Sequence, residues 1–152
     1  MNREIKFRGK RIDNGEWVIG DLIYTKSVLG TITDCRILES YNTGGVSWID
    51  GWSQEVDSET VGQFTGLKDK NGVTEIYDGD IMFRQIRNGK GKVICEYKTT
   101  VMYVLELAGY YLAHDGSGTM LGATYEELGD WAVFGEVIGN IFDNPELLEV
   151  AK

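Results

Sequence analysis

Residues with the means to do chemistry are few in this chain and lie far apart. His114 is the only histidine among 152 residues and stands beside Asp115. An imidazole next to a carboxylate can serve as a general base, but a catalytic dyad also needs a positioned nucleophile, and nothing marks Ser117 or Thr119 as one. Asp78 and Asp80 flank Gly79, a spacing that sends two carboxylates to one face of an extended chain, where metal-assisted chemistry on a divalent cation is the enzymatic alternative. The further oxygen ligands of a calcium loop are missing, and aspartate in such a corner bonds its own backbone two residues on. Turn capping is therefore expected there. Gly62-Gln63-Phe64-Thr65-Gly66-Leu67-Lys68 has glycines and a lysine but not the spacing of a phosphate loop. No catalytic residue, metal or cofactor site is expected.

Charge is distributed unevenly. The formal net charge of -9 makes the whole molecule a poor non-specific ligand for nucleic acid or anionic lipid. Arg3, Lys6, Arg8, Lys10 and Arg11 nevertheless crowd the N-terminus, and Arg84, Arg87, Lys90, Lys92 and Lys98 form a second basic segment. From Thr99 to Ala151 there is no lysine or arginine, while Glu106, Asp115, Glu126, Glu127, Asp130, Glu136, Asp143, Glu146 and Glu149 all fall there. The basic segment from 84 to 98 is interleaved with Ile94 and Tyr97, as the face of a nucleic-acid-binding barrel would be. The plain alternative is a solvated strand face. A third use is self-association, with the basic end of one copy meeting the acidic end of the next.

The elements that must position these groups are strands and tight turns. Twenty glycines against one proline specify many turns, and 42% apolar residues suffice for a core. Ile5 and Phe7 alternate with Lys6 and Arg8 in a half-buried strand; Asp13-Asn14-Gly15 turns it into a hairpin with a returning strand from Glu16 to Tyr24. Gly20-Asp21 is read as a bulge or bend. Ile32, Cys35, Ile37 and Leu38 suggest a further strand, and Asn42-Thr43-Gly44-Gly45 a loop. Trp48 and Trp52 are read as core or subdomain-contact residues. Asn88-Gly89 turns a second antiparallel pair, Val101 to Tyr111 is read as a covered strand ending at or running past Gly109, and Thr124 is placed to cap a short helical turn through Leu128. Trp131 to Ile141 reads as a last strand, and Asn144-Pro145-Glu146 as the start of a terminal helical turn.

Between Thr60 and Phe83 the turn chemistry is densest. Gly62, Gly66, Asp69, Asn71, Gly72, Asp78, Gly79 and Asp80 form a structural motif there. The runs Glu16 to Tyr24 and Glu75 to Phe83 each contain Gly-Asp followed by three apolar residues, a weak sign of two similar β subdomains. The expected organisation is an N-terminal β subdomain over 1–58 and a second over 59–152. The fold class is mainly β with minor α: antiparallel hairpins forming a small barrel-like core, plus the N-terminal subdomain and a short C-terminal helical turn. Cys35 and Cys95 belong to no C-x-x-C unit and are expected as free thiols in a reducing compartment. No run approaches the about 18 apolar residues of a membrane span, and the N-terminus has no apolar leader core. A cytoplasmic protein without membrane contact is expected.

The chain resembles the YopX family of phage and prophage proteins. The resemblance rests on the start, Arg3-Glu4-Ile5-Lys6-Phe7-Arg8, and on the centre, Val61 to Gly72 followed by Glu75-Ile76-Tyr77-Asp78-Gly79-Asp80-Ile81. It extends to the end, Glu136-Val137-Ile138-Gly139-Asn140-Ile141-Phe142-Asp143-Asn144-Pro145-Glu146-Leu147-Leu148. It implies a β-rich fold with a barrel-like part, a tendency to oligomerise, and carriage by phages of Gram-positive bacteria; it brings no assigned activity and no site residues. One departure is an extra residue at Val73-Thr74, which lengthens a hairpin. The functional expectation is a phage-encoded accessory protein that works by binding, as a homo-oligomer or with a host or phage protein, in the bacterial host cytoplasm. The alternatives are a nucleic-acid-binding module on strands 84–98 and an acidic inhibitor of a host factor.

Overall fold

A computed structural model describes residues 4–26, 30, 32–39, 53–113 and 125–149. Arg3, the Asn42 to Gly45 loop, Trp48, Trp52, His114, Asp115, Ser117, Thr119 and Thr124 lie outside the described residues. The chain divides by its contacts into two units, Met1–Phe64 and Thr65–Lys152. The sequence suggests a boundary between 58 and 59; the contacts divide inside a strand, between Phe64 and Thr65.

In the first unit β1 (Phe7–Lys10) and β2 (Trp17–Lys26) form the expected hairpin, with Phe7 opposite Gly20 and Lys10 opposite Trp17. The turn needs Gly15, whose φ is +73°. Beyond Gly20, β2 leaves β1 and pairs with β3 (Ile32–Leu38), which in turn pairs with β4 (Ser53–Glu55). The exchange of partners explains the glycine: a Cβ there would lie 1.9 Å from the Leu38 carbonyl oxygen. No bulge interrupts β2 at Gly20-Asp21; its register shift comes later, between Thr25 and Lys26. On the other side of β1 the strand β5 (Gly62–Lys68) begins, so the order is β4-β3-β2-β1-β5. Val18, Cys35, Ile37 and Val56 form the core of this unit, with Phe7, Leu22 and Val61 packed against them.

In the second unit β6 (Glu75–Tyr77) follows β5. A second antiparallel sheet is built from β7 (Asp80–Arg87), β8 (Val93–Val104), β9 (Gly109–Ala113), β10 (Tyr125–Glu127) and β11 (Glu136–Asn140), in the order β10-β9-β8-β7-β11. One helix, α1 (Leu128–Phe134), and a 3-10 turn at Pro145–Leu148 complete it. The fold is mainly β, as expected, but the barrel-like closure is corrected: among the described residues neither sheet closes on itself, and β10 and β11 are open edges. The apolar face of the second sheet is covered by a helix instead. Ile76, Met82, Val101 and Leu112 pack against Leu128, Trp131 and Ala132 of α1.

Three element assignments also change. The helical turn expected after Thr124 through Leu128 is strand β10 over Tyr125–Glu127, and the helix begins only at Leu128. The segment read as one strand from Trp131 is a helix until Phe134 and a strand only from Glu136. Its buried residues, Leu128, Trp131 and Ala132, stand at the i, i+3, i+4 spacing of a helix face. Val101 to Tyr111 is not one strand but two, reversing through a 3-10 turn at Leu105–Leu107. No described helix is long and apolar enough to cross a membrane.

Candidate functional site

The Asp78-Gly79-Asp80 corner is held in place by its own polar groups. Asp80 is buried, and its Oδ2 accepts the Tyr77 N–H at 2.8 Å. Asp78 Oδ1 accepts the Tyr103 N–H at 3.3 Å. Between them Gly79, at φ +84°, donates its N–H to the Val101 carbonyl at 2.9 Å and accepts the Ile141 N–H at 2.9 Å. One corner thus ties β6, β7, β8 and the segment after β11 together. The two carboxylates serve different backbone groups, and among the described residues no cluster of three His, Cys, Asp or Glu side chains could hold a metal ion.

The preceding hairpin is built the same way. Asp69 is buried and takes both the backbone N–H and the side-chain amide of Asn71, at 3.1 and 3.2 Å, while its carbonyl accepts the Gly72 N–H at 2.8 Å. Gly66 and Gly72 have φ of +88° and +69°, and Gly62 pairs with Arg8. The longer tip puts Val73 in solvent, and Lys70 anchors the hairpin through its N–H on the Gly135 carbonyl and its ammonium on Glu136, at 2.9 and 2.7 Å.

The basic residues of 84 to 98 do not converge. Arg84 is opposite Tyr97 and Phe83 opposite Lys98, so Arg84 and Lys98 point to opposite faces of the sheet. Arg87 donates to Gln85 at 2.6 Å and to the Gly91 carbonyl at 3.1 Å, and Gln85 donates to Glu96 at 2.7 Å. Lys90 and Lys92 sit in the hairpin turn, where their backbone N–H groups both donate to Asn88 Oδ1 at 3.0 Å.

Arg84 alone enters a structured site. Its guanidinium lies over the rings of Trp131 and Phe134, 5.5 and 5.1 Å from their centres. Trp131 is buried, donates its indole N–H to Glu126, and meets Tyr97 edge-on at 6.4 Å. Arg84, Ile86, Tyr97, Glu126 and Trp131 line a cavity of about 130 Å³. Ile86, Tyr97 and Phe134 are exposed around it. The Tyr97 hydroxyl is held above the ordinary phenol range, first by its hydrogen bond with Cys95. Among the described residues Arg84 has no ion pair. Tyr97, Glu126, Trp131 and Phe134 belong to no recognisable motif; the signal that could have found them is the helical spacing of Leu128, Trp131 and Ala132.

A wider cleft of about 610 Å³ lies in the first unit, between Lys10, Arg11, Asp34, Cys35, Glu55 and Asp57. It mixes cations with carboxylates, and its Arg11 is already held by Asp13 at 2.5 Å, so it selects for neither sign of ligand.

The family model described as YopX protein matches residues 6–149. The chain belongs to the YopX family. Among solved structures, the protein EF1440 from Enterococcus faecalis is similar, with a TM-score of 0.55 and 23% identity over 97% of this chain and 100% of that one. That likeness concerns the fold. No curated protein matches the chain. In this YopX-family chain, the central residues that carry the resemblance are the ones whose side chains and glycines fix the corner and the hairpin.

Proposed function

We propose that this YopX-family chain is a phage-encoded accessory protein that acts by binding, as a homo-oligomer in the host cytoplasm, and performs no chemistry of its own. One observation carries the reading. The carboxylates of the central motif are directed at backbone N–H groups, whereas the second unit presents an arginine that among the described residues has no ion pair, beside exposed apolar side chains, on the face of a sheet. Arginine and aromatic residues grouped in this way are the usual anchors of protein interfaces. A nucleic-acid interface would need the cations of 84 to 98 on one face, and they are divided between two. The test is the mass in solution by light scattering at low and high salt. A multiple of 17.0 kDa supports the reading; 17.0 kDa in both conditions overturns it.

A further inference from the structure

We infer that the Asn88-Gly89 turn between β7 and β8 is a site of self-modification, at which Asn88 is converted to aspartate and isoaspartate through a succinimide. Asparagine followed by glycine is the pair most open to this chemistry, because no Cβ keeps the glycine nitrogen away from the asparagine side chain. The chain has three such pairs, Asn14-Gly15, Asn71-Gly72 and Asn88-Gly89. All six residues are exposed, so access to water does not separate the pairs. Their hydrogen bonds do.

At the first two pairs the glycine nitrogen, which must act as the nucleophile, is already engaged. The Gly15 N–H donates to the Arg11 carbonyl at 3.0 Å, and the Gly72 N–H to the Asp69 carbonyl at 2.8 Å. Carboxylates hold both asparagine amides as well: Asn14 Nδ2 donates to Glu16 at 2.8 Å and Asn71 Nδ2 to Asp69 at 3.2 Å. A carboxylate beside the amide opposes the negative charge that attack would place on its oxygen. At the third pair, neither the Gly89 N–H nor the Asn88 amide nitrogen has a hydrogen-bond partner among the described residues. Asn88 Oδ1 accepts two backbone N–H groups, those of Lys90 and Lys92, each at 3.0 Å, where Asn14 Oδ1 accepts only that of Glu16.

The two donors form an oxyanion site. They polarise Cγ of Asn88 and stabilise the charge that develops on Oδ1 as the neighbouring nitrogen adds. The Gly89 nitrogen gives its proton to hydroxide and bonds to Cγ. The tetrahedral intermediate collapses as the Cγ–Nδ2 bond breaks, and Nδ2 takes a proton from water and leaves as ammonia. Water then opens the ring at the side-chain carbonyl, giving aspartate, or at the main-chain carbonyl, giving isoaspartate. The net change is one water consumed and one ammonia released. Either product adds a negative charge beside Arg87, Lys90 and Lys92, and isoaspartate also inserts a methylene into the backbone of the hairpin tip.

The test is peptide mapping of the folded protein after incubation in warm, mildly alkaline buffer, reading the mass gain of an amide converted to an acid. The gain should accumulate severalfold faster at Asn88 than at Asn14 and Asn71, whereas in urea the three sites should react at similar rates. Hydroxylamine, which intercepts the succinimide, should cut the folded chain after Asn88 and leave the other two pairs whole. Gly89→Ala separates the chemistry from folding, since Gly89 lies outside the left-handed region and an added Cβ would meet nothing within 4 Å. That variant should keep the wild-type circular dichroism and unfolding midpoint and lose the modification at position 88. Equal rates at the three sites of the folded protein, or an Asn88 that reacts only in urea, would overturn the inference.

Discussion

A methyl group added at Gly79 would lie 3.1 Å from Cε2 of Phe142, at a position where φ is already +84°. The left-handed conformation alone costs a residue with a Cβ roughly 1–2 kcal/mol, and the ring adds a steric contact. Gly72 shares the conformation, at φ +69°, but has nothing within 4 Å of the added methyl. Gly79→Ala should therefore lower the unfolding free energy by more than Gly72→Ala in urea denaturation. Equal losses would mean that the Phe142 ring does not pack on the corner.

Asp80→Ala removes the acceptor for the buried Tyr77 N–H. Loss of a hydrogen bond to a charged group costs about 1.5–3 kcal/mol, and Asp80→Asn should recover part of it by keeping an oxygen in place. If the aspartates were instead a cation site, added divalent metal would raise the thermal midpoint of the wild type and not that of Asp80→Ala. No such difference is expected.

The Lys70–Glu136 pair, at 2.7 Å, is short but partly solvated, with both side chains more than a third exposed. Exposed pairs are worth about 0–1 kcal/mol. Lys70→Met should shift stability by less than about 1 kcal/mol, since the Lys70 N–H to Gly135 carbonyl bond survives the change. A larger loss would show that the side chain, and not the backbone, anchors the hairpin.

Burial pushes the Cys35 thiol above its ordinary value. A raised pKa in the folded state means that the neutral thiol is favoured on folding. Its contribution to stability is thus complete below the ordinary thiol pKa and is lost as pH rises through the raised one. A thiol reagent at mildly alkaline pH should label the half-buried Cys95 first and the buried Cys35 later. Equal rates in the folded protein would contradict the packing of Cys35 with Ile37 and Val56.

The hairpins are legible because their turns are written in residues with few alternatives: Asn14-Gly15 reverses β1 into β2, and Asn88 caps the turn into β8 through two backbone N–H groups. The reversal after Val104 has no such mark, since the left-handed position is taken by Ala108 and not by glycine or asparagine. Helix α1 is hidden because Trp131, Ala132, Val133 and Phe134 are apolar in any period; only the burial of Leu128, Trp131 and Ala132, with Val133 and Phe134 exposed, separates helix from strand. The expected barrel closure fails for the same reason, because α1 covers the face that closure would have buried. Arg84 stands out in the sequence as part of a basic run, but its pocket does not, since Trp131 and Glu126 reach it from elements far along the chain.

The Asp78-Gly79-Asp80 corner builds the fold, and the proposal that the chain acts by binding as a homo-oligomer is tested most directly by sedimentation velocity over a range of protein and salt concentrations. The expected result is a species heavier than 17.0 kDa. A single 17.0 kDa species at every protein and salt concentration would contradict it.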